Sequence, residues 1–123
     1  MSETKDVSSW VAKEQEQLAN SSLRLALLAI IKQHQDEGIY GYLIGETLFN
    51  ATGGEMDGTK ATFYAILRRL QRDGLIDSNL GESTSGPARK YYFLTPKGER
   101  AYHALWANWE YYYKLLERLV KLI

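Results

Sequence analysis

The 123-residue chain contains no cysteine. That excludes a disulfide framework and any metal centre built on thiolates. Its two histidines, His34 and His103, are far apart and lack a spaced partner, so no histidine metal site is expected. Long apolar runs are missing as well. No segment approaches the ~20 residues that span a bilayer, and no basic stretch leading into an apolar run suggests a secretory leader. The expectation is a cytoplasmic protein without a membrane partner. Ser21, Ser22 and residues 83–85 have neither a neighbouring base nor a glycine elbow, which leaves nucleophilic catalysis unsupported. The spacing of Gly38, Gly41 and Gly45 is not that of a phosphate loop. Neither an enzyme nor a cofactor is expected.

Net charge is also absent: 15 basic residues balance 15 acidic ones. The balance hides a strong asymmetry. Residues 60–100 carry eight basic against four acidic side chains, whereas residues 1–59 carry four against nine. A local basic region still attracts phosphate, because its field is felt over roughly one Debye length of about 8 Å.

The hydrophobic pattern reads as mostly helical. Residues 9–35 form a first helix whose second half (Leu18, Leu23, Leu25, Leu27, Leu28, Ile30, Ile31) is apolar over more than one stripe. Residues 1–7 are polar and are expected to be frayed. Residues 42–50 form a short second helix, with Leu43, Ile44, Leu48 and Phe49 as its buried side, and residues 50–54 are a turn signal. A third helix runs from Thr59, as N-cap, to Gly74. Residues 75–79 and 90–94 read as strands joined by a Gly/Ser-rich connection at 81–87. Thr95 and Pro96 suit the cap and first position of a last helix reaching the C-terminus.

Helix, strand, tip and strand over residues 60–98 is the order of a winged helix-turn-helix. On the third helix Phe63, Ile66, Leu67 and Leu70 share one face. The other carries Ala61, Ala65, Arg68 and Arg72, flanked by Thr62 and Tyr64. Small residues at the start let the backbone approach base edges. Arginines further along suit guanine or phosphate. By itself such a surface also fits a solvated basic face on a core helix. The hairpin that follows shifts the choice, since Arg89 and Lys90 at its base can grip phosphates beside the groove. The candidate DNA-binding residues are therefore Lys60, Ala61, Thr62, Tyr64, Arg68, Arg69, Arg72, Arg89 and Lys90, and double-stranded DNA is the expected partner.

In the last helix Tyr102, Leu105, Trp109, Tyr112, Leu116, Leu119 and Ile123 recur at steps of three and four, a heptad seam. A small winged-helix body cannot cover such a face, which would be an unusually large apolar patch on a monomer. A homodimer is expected, with Leu105, Trp109, Tyr112, Leu116, Leu119 and Ile123 as dimerisation residues. The fold class is mainly α with a small β-hairpin, in one structural domain. Residues 1–98 form the N-terminal helix and winged helix-turn-helix, and residues 99–123 the dimerisation helix. The aromatic cluster Trp106, Trp109, Tyr112 and Tyr113 is either bulky interface anchoring or, together with Leu25, a flat slot for a planar or cationic hydrophobic compound.

The segments Tyr40-Gly41-Tyr42, Thr62-Phe63-Tyr64, Leu67-Arg68-Arg69-Leu70, Asp73-Gly74-Leu75-Ile76 and the run Arg89-Lys90-Tyr91-Tyr92-Phe93-Leu94-Thr95-Pro96-Lys97-Gly98 resemble the winged-helix signatures of the PadR family of transcriptional regulators. Gly54-Glu55-Met56 and the aromatic last helix resemble its short multidrug-sensing branch. The resemblance implies a homodimeric repressor whose dimer-interface pore is lined by a tryptophan matching Trp109. Ala65 stands where many members have proline, and Pro87-Ala88 where glycine and arginine are frequent, so the wing has one cation fewer. The acidic residue which that branch can supply is Tyr113 here. The alternative from another class is a winged-helix protein-interaction module that does not read DNA.

Overall fold

The computed structural model describes residues 2–57, 61–81 and 86–122, with side chains from residue 7 onward. Seven elements follow in order: α1 (Ser2–Gln33), β1 (Ile39–Tyr40), α2 (Gly41–Ala51), α3 (Ala61–Arg72), β2 (Ile76–Gly81), β3 (Arg89–Leu94) and α4 (Pro96–Lys121). The expected cap Thr59, Lys60, residues 82–85 of the wing connection and Ile123 lie outside the described residues.

The core forms where the apolar faces of α1, α2 and α3 converge on the sheet. Leu27, Leu28 and Ile31 of α1, Ile44 and Leu48 of α2, and Phe63 and Leu67 of α3 are all buried, together with Ile39, Ile76 and Leu94. Burying a side chain of this size contributes about 1.5–3 kcal/mol. The broad apolar half of α1 is thus explained, since Leu27 and Leu28 point in different directions and both meet core. Phe49, expected on the buried side of α2, is instead exposed, and its ring lies against Gly54 in the following turn.

The sheet has three antiparallel strands in the order β1-β3-β2, so the expected hairpin gains a strand. Ile39 and Tyr40 pair with Tyr92 and Tyr91, while β2 pairs along all of β3 from Ile76 opposite Leu94 to Gly81 opposite Arg89. A side-chain amide extends the ladder. Gln35 donates to the Leu94 carbonyl at 2.7 Å and accepts from the Leu94 N–H at 2.9 Å. Between α1 and β1 the chain reverses at Gly38, whose φ of +76° is accessible to glycine at little cost.

Further boundaries differ from the periodicity reading: β2 extends to Gly81, which was expected in the connection, and β3 begins at Arg89. α1 begins at Ser2, so the polar first residues continue the helix where fraying was expected, and it ends at Gln33. α3 ends at Arg72, where Gly74 in the left-handed region lets Leu75 N–H reach the Leu70 carbonyl at 3.0 Å. The start of α4 is as expected from the sequence: Thr95 accepts from the Gly98 N–H at 3.0 Å and Pro96 opens the helix. Over its first turns α4 is held to the body by Tyr102, which packs on the core, and by Lys32, which pairs with Glu99. The rest of its 26 residues projects with a largely exposed apolar face.

Candidate nucleic-acid interface

The site starts from the strong two-sidedness of α3. Phe63, Ile66, Leu67 and Leu70 are buried, which turns Ala61, Thr62, Tyr64, Ala65, Arg68, Arg69 and Arg72 outward. Their neighbours divide them into three groups. Ala61, Arg68 and Arg72 form the outward ridge of the helix.

Tyr64 belongs to the sheet side. Its ring stands edge-on to Phe63 at 4.9 Å and lies against Gly41 at the start of α2. An open depression of about 450 Å³ is lined by Tyr40, Gly41, Tyr42, Tyr64, Arg89, Lys90 and Tyr92. The α3 tyrosine and both cations at the base of the hairpin thus meet in one place, although Tyr64 precedes Arg89 by 25 positions and Lys90 by 26. Arg68 is close enough to matter there. Burial pushes the Tyr92 hydroxyl above the usual tyrosine range, the Tyr64 hydroxyl adds to that, and the Arg68 guanidinium opposes it. The floor of the depression is the N-terminus of α2. Its cap residue Tyr40 is extended and supplies no side-chain hydrogen bond, so the first helical N–H groups keep their partial positive charge unmasked by a cap.

Thr62, Ala65 and Arg69 face the other flank. With Asn20 and Arg24 of α1 they line a larger cavity of about 610 Å³ floored by Leu28, Ile66, Leu70, Leu75 and Leu105. The eight candidate DNA-binding residues that the structure describes therefore do not form one contiguous set. Tyr64, Arg89 and Lys90 converge, Arg68 adjoins them, and Thr62 and Arg69 turn toward α1. Tyr40 and Tyr42 were missed as members of the site. A two-residue strand is too short to show alternation, and only the Tyr40-Gly41-Tyr42 motif hinted at them.

The aromatic region of α4 is stacked. Trp106 and Trp109 lie 5.9 Å apart at 11°, and Trp109 and Tyr113 5.4 Å apart at 5°. Against α1 this ladder encloses a mostly apolar cavity of about 530 Å³, walled by Leu18, Ser21, Ser22 and Leu25 on one side and by Leu105, Asn108, Trp109, Tyr112, Tyr113 and Leu116 on the other. Trp106 is not in the wall; it backs Trp109. Leu116 and Leu119 are exposed, as are Val7, Trp10 and Val11 on α1, and Leu18, expected within the apolar half of that helix, is exposed as well. The histidines have ordinary partners: His34 meets the Ile30 carbonyl at 3.0 Å and His103 meets Glu99 at 3.2 Å.

Comparison with known proteins decides the family. The transcriptional regulator PadR-like family matches residues 27–104, which include the core of α1, the whole winged helix and the start of α4. The chain belongs to the PadR-like family. The solved structures similar to this PadR-like chain include a Streptococcus transcriptional regulator, at 29% identity and a TM-score of 0.71 over 84% of this chain and 96% of that one. A PadR-like transcriptional regulator from Bacillus cereus aligns at 29% identity and 0.70, over 85% and 96%. A PadR family regulator from Eggerthella lenta reaches 0.72 at 25% identity, over 94% and 96%. An uncharacterized protein of Lysinibacillus sphaericus is 33% identical over 70 residues, which is 57% of this chain and 64% of that relative. No helix among the described residues is long and apolar enough to cross a membrane.

Proposed function

We propose that this chain is a homodimeric DNA-binding repressor. In this reading residues 1–98 recognise the operator and residues 99–123 dimerise. The observation that carries it is the convergence of Tyr64, Arg89 and Lys90 on one open depression beside Arg68. Bases are read by α3 while the wing base and the uncapped start of α2 hold the flanking phosphates. Dimerisation buries the exposed Leu116 and Leu119 of α4 and sets two such units about one helical turn, ~34 Å, apart.

The aromatic cavity supports the finer part of the reading, that a planar hydrophobic effector releases the DNA. Parallel rings at Trp109 and Tyr113 present flat faces, and Leu25 and Leu105 close the slot with apolar surface. A ligand wedged there favours the dimer arrangement whose half-readers are wrongly spaced, and shifts the population away from DNA. The decisive test is fluorescence anisotropy on the gene's own upstream DNA against scrambled DNA over a salt series. Selective binding that weakens steeply with salt is expected. Equal, weak binding to both would instead favour a protein-interaction module, for which the exposed aromatic face of α4 is the supporting observation.

A further inference from the structure

The wing arginine is not a free side chain. The Arg89 guanidinium lies 4.4 Å from the centroid of the Tyr40 ring. Tyr40 is itself braced, because its ring stands edge-on to Tyr91 at 5.6 Å and the two residues are register partners between β1 and β3. Tyr91 in turn occupies space that only glycines leave open. A Cβ at Gly81 would fall 2.5 Å from its ring, and one at Gly38 would fall 3.1 Å from its Cβ. The result is a continuous chain of contacts from the glycines through Tyr91 and Tyr40 to Arg89, ending at the mouth of the depression that holds Tyr64 and Lys90.

We propose that Tyr40 is the positioning residue of the wing: its ring holds the Arg89 guanidinium in the orientation that grips a DNA phosphate, a deepening that rests on the DNA-binding reading above. The physical reason is entropic and directional. An exposed arginine has rotamer entropy to lose on contact, and stacking on an aromatic face removes part of that freedom before DNA arrives. Stacking uses the flat face of the guanidinium and leaves its N–H edges for phosphate oxygens. Among the described residues Arg89 makes no ion pair that would compete.

The test compares Tyr40→Leu, Tyr40→Phe, Arg89→Lys, Arg89→Ala and the Tyr40→Leu/Arg89→Ala double variant. Affinity and its salt dependence are measured by anisotropy on the chain's own upstream DNA, and each variant's folding is followed by thermal unfolding. Tyr40→Leu should weaken binding about 2- to 5-fold, as loss of an exposed cation–π contact predicts, while Tyr40→Phe keeps the ring and stays near wild type. Arg89→Lys keeps the charge, loses the planar guanidinium and should behave like Tyr40→Leu while leaving Tyr40 and its contact with Tyr91 in place. Arg89→Ala should lower the slope of log affinity against log salt by about 0.9, and in that background Tyr40→Leu should add nothing. In the free protein, NMR should find the Arg89 δ-methylene and Nε–H protons shifted upfield by the Tyr40 ring in wild type and Tyr40→Phe, and unshifted in Tyr40→Leu. Two results overturn the proposal while leaving the DNA-binding reading intact: wild-type affinity in Tyr40→Leu when Arg89→Ala is weakened, or full additivity in the double variant. Wild-type affinity in Arg89→Ala removes the wing contact and the proposal with it. Absence of selective binding by the wild type overturns the underlying reading itself, whatever the NMR shifts show.

Discussion

Replacing Gly98 by alanine sets two physical effects against each other. Gly98 is the third residue of α4, a position where alanine favours the helix by up to about 1 kcal/mol. The surroundings oppose that gain. Gly98 is buried, and a Cβ there would collide with the backbone carbonyl of Leu75, which no side-chain rotation can relieve. That carbonyl already accepts from Thr95 N–H at 3.1 Å, and the single Thr95 hydroxyl proton is shared between it at 3.2 Å and the Gly74 carbonyl at 2.6 Å. Moving it loosens the cap of α4 and the turn after α3 together. Overpacking costs about 1–3 kcal/mol, and each weakened hydrogen bond adds about 0.5–1.5 kcal/mol. The net expectation for Gly98→Ala is a loss of about 2–4 kcal/mol out of a total on the order of 5–15 kcal/mol. For a chain of this size that lowers Tm by roughly 10 °C. Gly53→Ala is the control: Gly53 has a φ of +62° but open space around it, so only the backbone cost of about 1 kcal/mol applies. Urea and thermal unfolding followed by circular dichroism, at matched protein concentration because association raises apparent stability, measures both. A Gly98→Ala protein as stable as wild type, or more stable, would refute the steric reasoning.

Other outcomes follow from the same geometry. Glu99 has its carboxyl held below the usual carboxylate range, first by the hydrogen bond from Lys32 and then by His103. A depressed carboxylate stabilises the fold above its ordinary pKa, and that contribution is lost as pH falls through the folded value. Glu99→Gln should therefore flatten the acid limb of a stability-against-pH curve, and an unchanged limb would remove the pair from the account. Arg68→Ala should weaken operator binding by about 1–3 kcal/mol and relax sequence preference, whereas Lys90→Ala should weaken all sequences alike with a shallower salt slope; identical behaviour of the two in an anisotropy series would contradict the division between ridge and wing. Leu116→Glu, which places a charge on the exposed α4 face, should shift the species seen by light scattering from dimer to monomer. Titration with planar hydrophobic compounds should quench tryptophan emission in wild type but much less in Trp109→Ala, and no quenching across a varied panel would count against the slot.

How far residues alone led can be judged from particular elements. The buried face of α3 was legible because Phe63, Ile66, Leu67 and Leu70 repeat at helical spacing, and the start of α4 because Thr95 and Pro96 act locally. β1 was not, since Ile39 and Tyr40 become a strand only by pairing with β3. The early start of α1 was missed because its first residues carry no apolar period and helix continuity there follows from propagation along the chain. For the candidate site, Tyr64, Arg68, Arg89 and Lys90 were nameable from type and pattern, while Tyr40 and Tyr42 were not.

The sequence by itself determined the class of this protein: local signals order the helices, strands and basic stretch in a pattern that few folds share, and each signal acts within a few residues. Only the tertiary structure decided which of those residues meet. The third strand brings Tyr40 under Arg89, the start of α2 at Gly41 packs on Tyr64 beside the wing, and Thr62 and Arg69 turn away toward α1. Long-range pairing and packing have no period in sequence, because they depend on where the chain returns in space.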